Sequence, residues 1–234
     1  MLSICDTATV GKRQDARDRI ERRIIELARR QLATDGAAGL SVRAIARDLG
    51  MVSSAVYRYV ASRDELLTML LIDAYTELAD AVDAARTPDG EWHEQILAMA
   101  HAARTWAVAD PARWALLYGS PVPGYHAPAD QTVGPGTRVV GSLLAAVDAG
   151  IGAGRVPQRN TPVPPATARD FDGLREEFDF SGDDASLLGC LTLWAGLIGA
   201  ISLEVFGQYG PDTFGNASPL FDGQVRLLAG LLAA

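Results

Sequence analysis

Residues 40–60, Leu-Ser-Val-Arg-Ala-Ile-Ala-Arg-Asp-Leu-Gly-Met-Val-Ser-Ser-Ala-Val-Tyr-Arg-Tyr-Val, constrain the fold of this chain more than any other stretch. Ser41 is a favourable N-cap, and Gly50 stands where a helix end favours a left-handed residue. Between them, apolar residues recur at the spacing of one helix face: Val42, Ile45, Ala46 and Leu49. The first half of the stretch therefore predicts a helix of about two turns followed by a tight turn.

The second half predicts another short helix, capped by Ser53, with Val56 and Val60 one turn apart on its inner side. Small and polar residues are left on the outer side: Ser53, Ser54, Tyr57 and Arg58. This arrangement is the helix-turn-helix pattern, whose second helix enters the major groove of DNA. The alternative interpretation is an ordinary helical hairpin on a protein surface.

The flanking sequence favours the first interpretation, because the chain resembles the TetR family of transcriptional regulators. The resemblance covers roughly the first third of the chain, in Gly36–Gly39, Leu40-Ser-Val-Arg-x-Ile-Ala, Leu49-Gly, Val56-Tyr-x-Tyr-Val and Ser62-Arg-Asp-Glu-Leu-Leu67. A weaker likeness continues in Trp194-Ala-Gly-Leu with Leu203-Glu204, similar to the C-terminal WHG subtype of the family. Ala195 replaces the His of that signature, so any role of the His does not carry over.

The charge distribution is compatible with DNA binding although the net charge is −8. Residues 1–66 contain 12 Lys and Arg against 9 Asp and Glu, a net charge of +3. The remaining residues contain 9 against 20, a net charge of −11. Because salt screens charges beyond about 10 Å, a locally basic surface can bind phosphates on an acidic protein.

We predict an all-α protein with four segments. Residues 1–14 form a flexible arm, in which Lys12 and Arg13 could contact phosphates, and residues 15–62 form a three-helix DNA-binding domain. Residues 63–86, with Ser62 as the cap, form a linking helix. Residues 87–234 form a larger helical domain for ligand binding and dimerisation. Within it, Asp110-Pro111 starts one helix, another runs from about Pro135 to Ala153, and proline-rich stretches at 119–128 and 154–182 are irregular.

The predicted DNA contacts lie in and around the second short helix. Arg43 and three residues whose roles the resemblance supplies, Tyr57, Tyr59 and Arg63, are expected to bind phosphates. Ser53, Ser54 and Arg58 are expected to face the bases or the groove edge. Ser41 and Ala55 complete the predicted interface. For Tyr59, packing against the first helix remains an equal alternative.

Aromatic side chains and proline-rich loops predict an apolar cavity for a small-molecule effector. The candidate lining residues are Trp106, Trp114, Tyr118, Tyr125, Phe178 and Trp194. Packing in the core is the alternative for any one of them.

Two apolar C-terminal helices, near 184–206 and 216–232, predict a two-fold dimer that binds a near-palindromic operator. The small and apolar residues placed at the interface are Gly189, Leu193, Gly196, Leu197, Ala200 and Ile201. Residues 185–203 contain no charged residue, but acidic flanks without Lys or Arg argue against a membrane span.

No motif for catalysis or cofactor binding is found, so we expect neither an enzyme nor a cofactor. His93 and His101 lie two helical turns apart, without an acid or Cys placed to complete a metal site. Cys5 and Cys190 lie in different settings, so a disulfide is not expected and a reducing cytoplasm fits. A helical small-molecule-binding protein or enzyme with an incidental N-terminal domain is the competing hypothesis.

Overall fold

The structure, a computed structural model, describes residues 5–87, 90–158 and 162–233, with side chains from residue 14 onward. Within these ranges it contains ten α-helices and no strand, so the all-α prediction is confirmed. The helices are α1 (Cys5–Asp35), α2 (Val42–Asp48), α3 (Ser53–Val56), α4 (Arg63–Ala84), α5 (Trp92–Ala109), α6 (Pro111–Tyr118), α7 (Ala129–Gly152), α8 (Pro165–Phe178), α9 (Asp184–Val205) and α10 (Ser218–Ala233).

The chain divides into two compact units. The N-terminal unit comprises the described residues up to Asp73 together with Ser120–Thr132. The C-terminal unit comprises Ala74–Gly119 and the described residues from Val133 onward. The sequence did not predict that Ser120–Thr132 belongs to the N-terminal unit, because it placed these residues in the larger domain.

A small apolar core holds the N-terminal unit together. Ile24 of α1, Ile45 of α2 and Val56 of α3 are each fully buried. Polar contacts tie the helices around this core: the Gln31 side chain accepts a hydrogen bond from the Ser41 amide at 3.0 Å, and Arg29 makes a bidentate pair with Asp73.

The turn between α2 and α3 follows the predicted capping chemistry except at Ser53. The Ser41 hydroxyl accepts from the Ala44 amide at 3.3 Å, and Gly50 has a φ of 67°. Val52, however, is the N-cap of α3 and makes no side-chain cap, so Ser53 is the first residue inside the helix. The predicted Ser53 cap is wrong by one position, because the chain enters the helix one residue earlier than the pattern indicated.

α9 is central to the C-terminal unit, where it packs against α5, α6, α8 and α10. The fully buried Trp114 donates its indole N–H to the Ser202 hydroxyl at 3.1 Å, and Arg104 pairs with Glu204 through two hydrogen bonds. By length and composition α9 could span a membrane, with a mean hydropathy of 1.9. Its four neighbours make it a core helix of this unit instead.

Three predicted boundaries differ from the structure. α1 begins at Cys5 rather than near Asp15, because no proline interrupts the first turns and extending a formed helix adds one hydrogen bond per residue. α7 begins at Ala129 and continues through Pro135, where a helix start was expected. α8 occupies part of the 154–182 stretch expected to be irregular, with Pro165 in its first turn.

Other predicted features fall as expected or outside the described residues. Asp110 caps α6 by accepting from the Arg113 amide at 3.1 Å, and Pro111 is the first helical residue. Residues 119–128 contain no helix or strand. The side chains of Lys12 and Arg13 lie outside the described part. Cys190 is a buried free thiol, and burial raises its pKa to about 12.

We expect Gly50→Ala to destabilise the protein by about 1 kcal/mol, because a Cβ is unfavourable at this left-handed φ. An added Cβ there meets no atom within 4 Å, so the effect isolates backbone strain. The matched control is Gly173→Ala on the exposed side of α8, where the space is equally open and alanine favours the helix. Chemical denaturation should show the two variants shifting in opposite directions; equal shifts would contradict the assigned turn geometry.

Candidate functional site

The exposed side of α3 and the turn that follows it carries most of the predicted DNA contacts. Ser54, Tyr57 and Arg58 are exposed, whereas Val56 and Val60 are fully buried beneath them. Backbone hydrogen bonds from Tyr57 to Ser53 and from Val60 to Val56 continue the helical turns past the end of α3. Ser54, Tyr57 and Arg58 thus lie on one outward surface, which we call the recognition surface.

The smaller residues of the prediction lie at the edges of this surface. Ser41, Ser53 and Ala55 are partly buried, and the Ser41 hydroxyl is used in capping α2. Arg43 in the first turn of α2 is exposed. A phosphate could therefore reach Arg43 without displacing any packed group.

Tyr59 and Arg63 are engaged within the protein. The Arg17 guanidinium of α1 lies over the Tyr59 ring, 5.5 Å from its centroid. This geometry favours the packing alternative for Tyr59. Arg63 donates from Nη2 to the Ala37 carbonyl at 2.8 Å and lies 3.8 Å from Asp64, so part of its guanidinium holds the chain between α1 and α2.

Two exposed residues near the recognition surface were missed by the sequence reasoning. The Val52 side chain is 71% exposed at the start of α3, and the Arg47 side chain is 80% exposed near the end of α2. The periodicity could have identified Arg47, which is off the apolar stripe of α2. No sequence pattern identified Val52 as exposed, because an apolar residue next to a buried stripe is expected to be buried with it.

An apolar cavity lies in the C-terminal unit, but it is almost closed. Its volume is about 10 Å³, and it is walled by α4, α5, α7, α9 and by Trp114 of α6. A volume of this size is only about one water molecule, far below the roughly 300–1,000 Å³ of typical ligand sites. The full lining is Leu78, Met99, Ala100, Ala103, Trp114, Val139, Leu143, Trp194, Leu197, Ile198 and Ile201.

Of the six predicted lining residues, Trp114 and Trp194 line this cavity. Tyr118 packs against both of them: its ring centroid lies 4.5 Å from that of Trp114 and 6.0 Å from that of Trp194. The other three have different surroundings. Trp106 donates to Glu77 at 3.3 Å, Phe178 packs near Gly141, and Tyr125 lies in the N-terminal unit with its hydroxyl 2.8 Å from that of Thr68.

A second concavity in the C-terminal unit is open and more polar. It has a volume of about 410 Å³ and lies along α10 beside the start of α5. Trp92 and Leu97 contribute apolar surface, while Glu91 and Arg155 at its rim form an ion pair of 2.7 Å. The apolar character predicted for the effector site is found in the first cavity and not in this groove.

Most of the residues predicted at the dimer contact are used inside the subunit. Leu193, Leu197, Ala200 and Ile201 are buried inside the subunit. Gly189 and Gly196 face α10 of the same chain, where an added Cβ would lie 2.5 Å from Leu232 and 2.6 Å from Leu228. The glycines do admit a close helix neighbour, as expected, but that neighbour is within the chain.

The exposed side of α9 is a different apolar stripe. Its members, spaced three or four residues apart, are Leu188, Thr192, Ala195, Gly199 and Leu203. On α10, Leu227 is 72% exposed and Leu231 is half exposed. We call these seven residues the C-terminal apolar face. Because large exposed aliphatic side chains are costly in water, this face is the stronger candidate for contact with another molecule.

The described ranges contain no group of three or more His, Cys, Asp or Glu residues arranged to bind a metal ion. His101 instead lies 3.4 Å from Asp222 and edge-on to the Phe221 ring.

An exposed recognition surface on a helix-turn-helix, joined to a separate helical unit with an apolar cavity, defines a DNA-binding transcriptional regulator. The comparisons agree with this class. A family model described as "Bacterial regulatory proteins, tetR family" matches residues 24–70, and one described as "Tetracyclin repressor-like, C-terminal domain" matches residues 96–228. The chain belongs to the TetR family of transcriptional regulators.

The similarity to known proteins extends over nearly the whole chain. The HTH-type transcriptional regulator Rv1816 of Mycobacterium tuberculosis is 59% identical over 232 residues, covering 98% of this chain and 99% of the relative. The crystal structure of SCO4313 is 33% identical with a TM-score of 0.75, covering 93% and 98% of the two chains. A tetR family protein from Shewanella sp. PV-4 shares the fold at 17% identity, with a TM-score of 0.60 and coverage of 92% and 98%.

Proposed function

We propose that this regulator is a cytoplasmic, homodimeric repressor that a small, largely hydrophobic ligand releases from a near-palindromic operator. The recognition surface carries the DNA-binding part of the proposal, because it holds exposed polar and cationic groups over a buried apolar core. Regulators of this family bind DNA and small-molecule ligands and act as dimers. Membership of a family of transcription regulators favours this proposal over the competing one of an enzyme.

For DNA, we propose that Arg58 reads a base edge and that Tyr57 and Arg43 bind phosphates. Arg58 is exposed at the outer end of the recognition surface, where its guanidinium can reach a guanine in a bidentate manner. Ser53, Ser54 and Ala55 are small enough to let the backbone of α3 approach the groove. Val52 can add an apolar contact with a thymine methyl group. Tyr59 and Arg63 contribute mainly by positioning α1 and the turn before α2.

Arg58→Ala should relax sequence preference at one operator position and cost about 1–3 kcal/mol of discrimination. Tyr57→Phe should instead weaken binding to all sequences alike, because a phosphate contact carries no base information. Both effects are measured by fluorescence anisotropy with the operator from the protein's own upstream region and with single-base variants of it.

The matched control is Arg86→Ala, which removes an arginine of the C-terminal unit just after α4 and should leave DNA affinity unchanged. An Arg58→Ala variant with wild-type affinity and preference would contradict the base-reading role. Failure of the wild-type protein to prefer any upstream fragment over random DNA would contradict operator binding itself.

For assembly, we propose that the C-terminal apolar face forms the dimer contact. Gly199 and Ala195 leave room for a helix of the second copy, and Leu227 offers a large side chain to it. A two-fold contact between such faces is isologous, so each copy presents the same residues. The dimer then carries two recognition surfaces for the two operator half-sites.

Leu227→Asp should dissociate the dimer, because each copy would bury an unpaired carboxylate in the proposed contact. The control Val108→Asp places the same charge on a half-exposed apolar residue of α5. Light scattering at micromolar concentration should find the first variant monomeric and the second dimeric. A dimeric Leu227→Asp protein would place the interface elsewhere; Gly196→Leu, by contrast, is expected to lower stability by displacing Leu228 within the subunit.

For regulation, we propose that the ligand enters the apolar cavity by separating its walls. Two aromatic residues of α6, Trp114 and Tyr118, lie at or beside these walls. The chain runs from Tyr118 through an irregular segment to Tyr125, whose hydroxyl bonds to Thr68 of α4 in the N-terminal unit. A displacement of α6 can therefore reach the DNA-binding unit through the chain itself.

The switch predicts reciprocal linkage between ligand and operator. The test ligand is the compound that most raises the melting temperature in a screen of one- and two-ring apolar compounds. Its affinity should fall about 5–150-fold when operator is bound, and operator affinity should fall by the same factor when ligand is bound. Tyr125→Phe should reduce this factor while leaving binding of ligand to the DNA-free protein unchanged; equal ligand affinities with and without operator would exclude this cavity as the regulatory site.

A further inference from the structure

The Tyr118 side chain is surrounded by aromatic rings. Its ring lies 4.5 Å from that of Trp114, 6.0 Å from that of Trp194 and 6.4 Å from that of Tyr75. The contacts with Trp194 and Tyr75 are edge-on, a favourable arrangement for aromatic pairs. These contacts fix the ring and so fix where its hydroxyl group stands.

The hydroxyl group of Tyr118 is shielded from solvent and has no hydrogen-bond partner among the described residues. The adjacent Trp114 differs in this respect, since its indole N–H donates to the Ser202 hydroxyl group. Buried hydroxyl groups in folded proteins are nearly always hydrogen-bonded, because an unpaired one loses its interactions with water without compensation. An orphaned hydroxyl therefore requires an explanation.

The Tyr118 hydroxyl group stays protonated and can donate a hydrogen bond. Burial raises the pKa of Tyr118 above its ordinary value, and the neighbouring Tyr75 adds to the rise. The phenol thus keeps its proton throughout the physiological pH range. Its proton has no acceptor among the described residues, so the hydroxyl group is available to donate to a ligand atom that accepts a hydrogen bond.

The ring of Tyr118 contacts two residues of the ligand cavity. Trp114 and Trp194, the two rings that flank Tyr118, are also lining residues of the cavity. A molecule that separates the cavity walls must move or touch these rings. The lining itself is apolar, so it offers such a molecule packing but little to fix its orientation.

We propose that Tyr118 determines ligand specificity, and that the effector is a compact, apolar molecule with one hydrogen-bond acceptor that the Tyr118 hydroxyl group pairs with. This inference rests on the proposed ligand cavity and adds the chemical class of the ligand. A hydrocarbon of the same shape would fill the same space but leave the hydroxyl unpaired. A site with a buried hydrogen-bonding group discriminates strongly against an analogue that lacks the partner.

The experiment compares two probes that share one bicyclic skeleton and differ by a carbonyl oxygen, 1-indanone and indane. Isothermal titration calorimetry of the wild-type protein should show 1-indanone binding about tenfold more tightly, as for one net hydrogen bond. Tyr118→Phe should abolish this preference while leaving the affinity for indane unchanged. The control Tyr75→Phe, which alters the other tyrosine of the cluster, should retain the preference.

A second measurement needs no ligand. Because Tyr118→Phe removes an unpaired buried hydroxyl and keeps the ring, the unliganded variant should melt at the same temperature as the wild type or higher. A clear loss of stability would mean that the hydroxyl is already paired in the folded protein, and the proposal would be overturned.

The outcomes separate this inference from the proposed cavity. If the wild type binds both probes equally, or Tyr118→Phe keeps the preference, the role of Tyr118 is wrong although the cavity stands. If neither probe binds, both are wrong. Ala103→Leu adds bulk to the cavity wall and should weaken both probes alike; unchanged binding would place them outside the cavity and overturn the proposal.

Discussion

The C-terminal unit depends on burying α9, a helix without a charged residue between Asp184 and Glu204. α5, α6, α8 and α10 surround much of it, and glycines at 189 and 196 let α10 approach closely. The acidic residues at its two ends are used as anchors, with Asp184 paired to Arg175 and Glu204 paired to Arg104. Since apolar residues occur all round this helix, the four neighbours still leave the C-terminal apolar face uncovered. One constraint thus produces both the core of the unit and the surface proposed for dimerisation.

The same property explains where sequence reasoning succeeded and failed. α2 is amphipathic, so its period identified the buried residues Val42, Ile45 and Ala46 and left Arg43 outside. α9 is apolar on every side, and periodicity cannot distinguish its inner side from its outer side. Most of the residues predicted to meet a second copy lie on the side that packs within the subunit, although the helix and the close approach at its glycines were recognised. Only the three-dimensional packing decides which leucines remain exposed.

Some helix boundaries and the partners of several polar side chains could also not be predicted from the sequence. Pro135 is a start signal in most contexts, yet α7 passes through it, at the cost of one backbone hydrogen bond. The resemblance gave Tyr59 and Arg63 as DNA contacts, but their long side chains find partners at Arg17 and Ala37, far away in sequence. Exposed short-range features such as Arg58 were predictable because the helix-turn-helix determines its outer surface locally. Contacts between distant segments were not.

The almost closed cavity and the unpaired hydroxyl group bear on the energetics of the proposed switch between two arrangements. A cavity of about 10 Å³ means that, without ligand, the aromatic residues of α6 and α9 pack against their neighbours rather than around a void. Opening it costs packing energy, which a ligand must offset by its own apolar contacts. Only the difference in ligand affinity between the two arrangements can shift DNA binding. A hydrogen bond to Tyr118 that becomes available in one arrangement alone would contribute wholly to that difference, whereas apolar contacts made in both would contribute nothing. A single polar atom in an apolar site can therefore govern regulation out of proportion to its share of the binding energy.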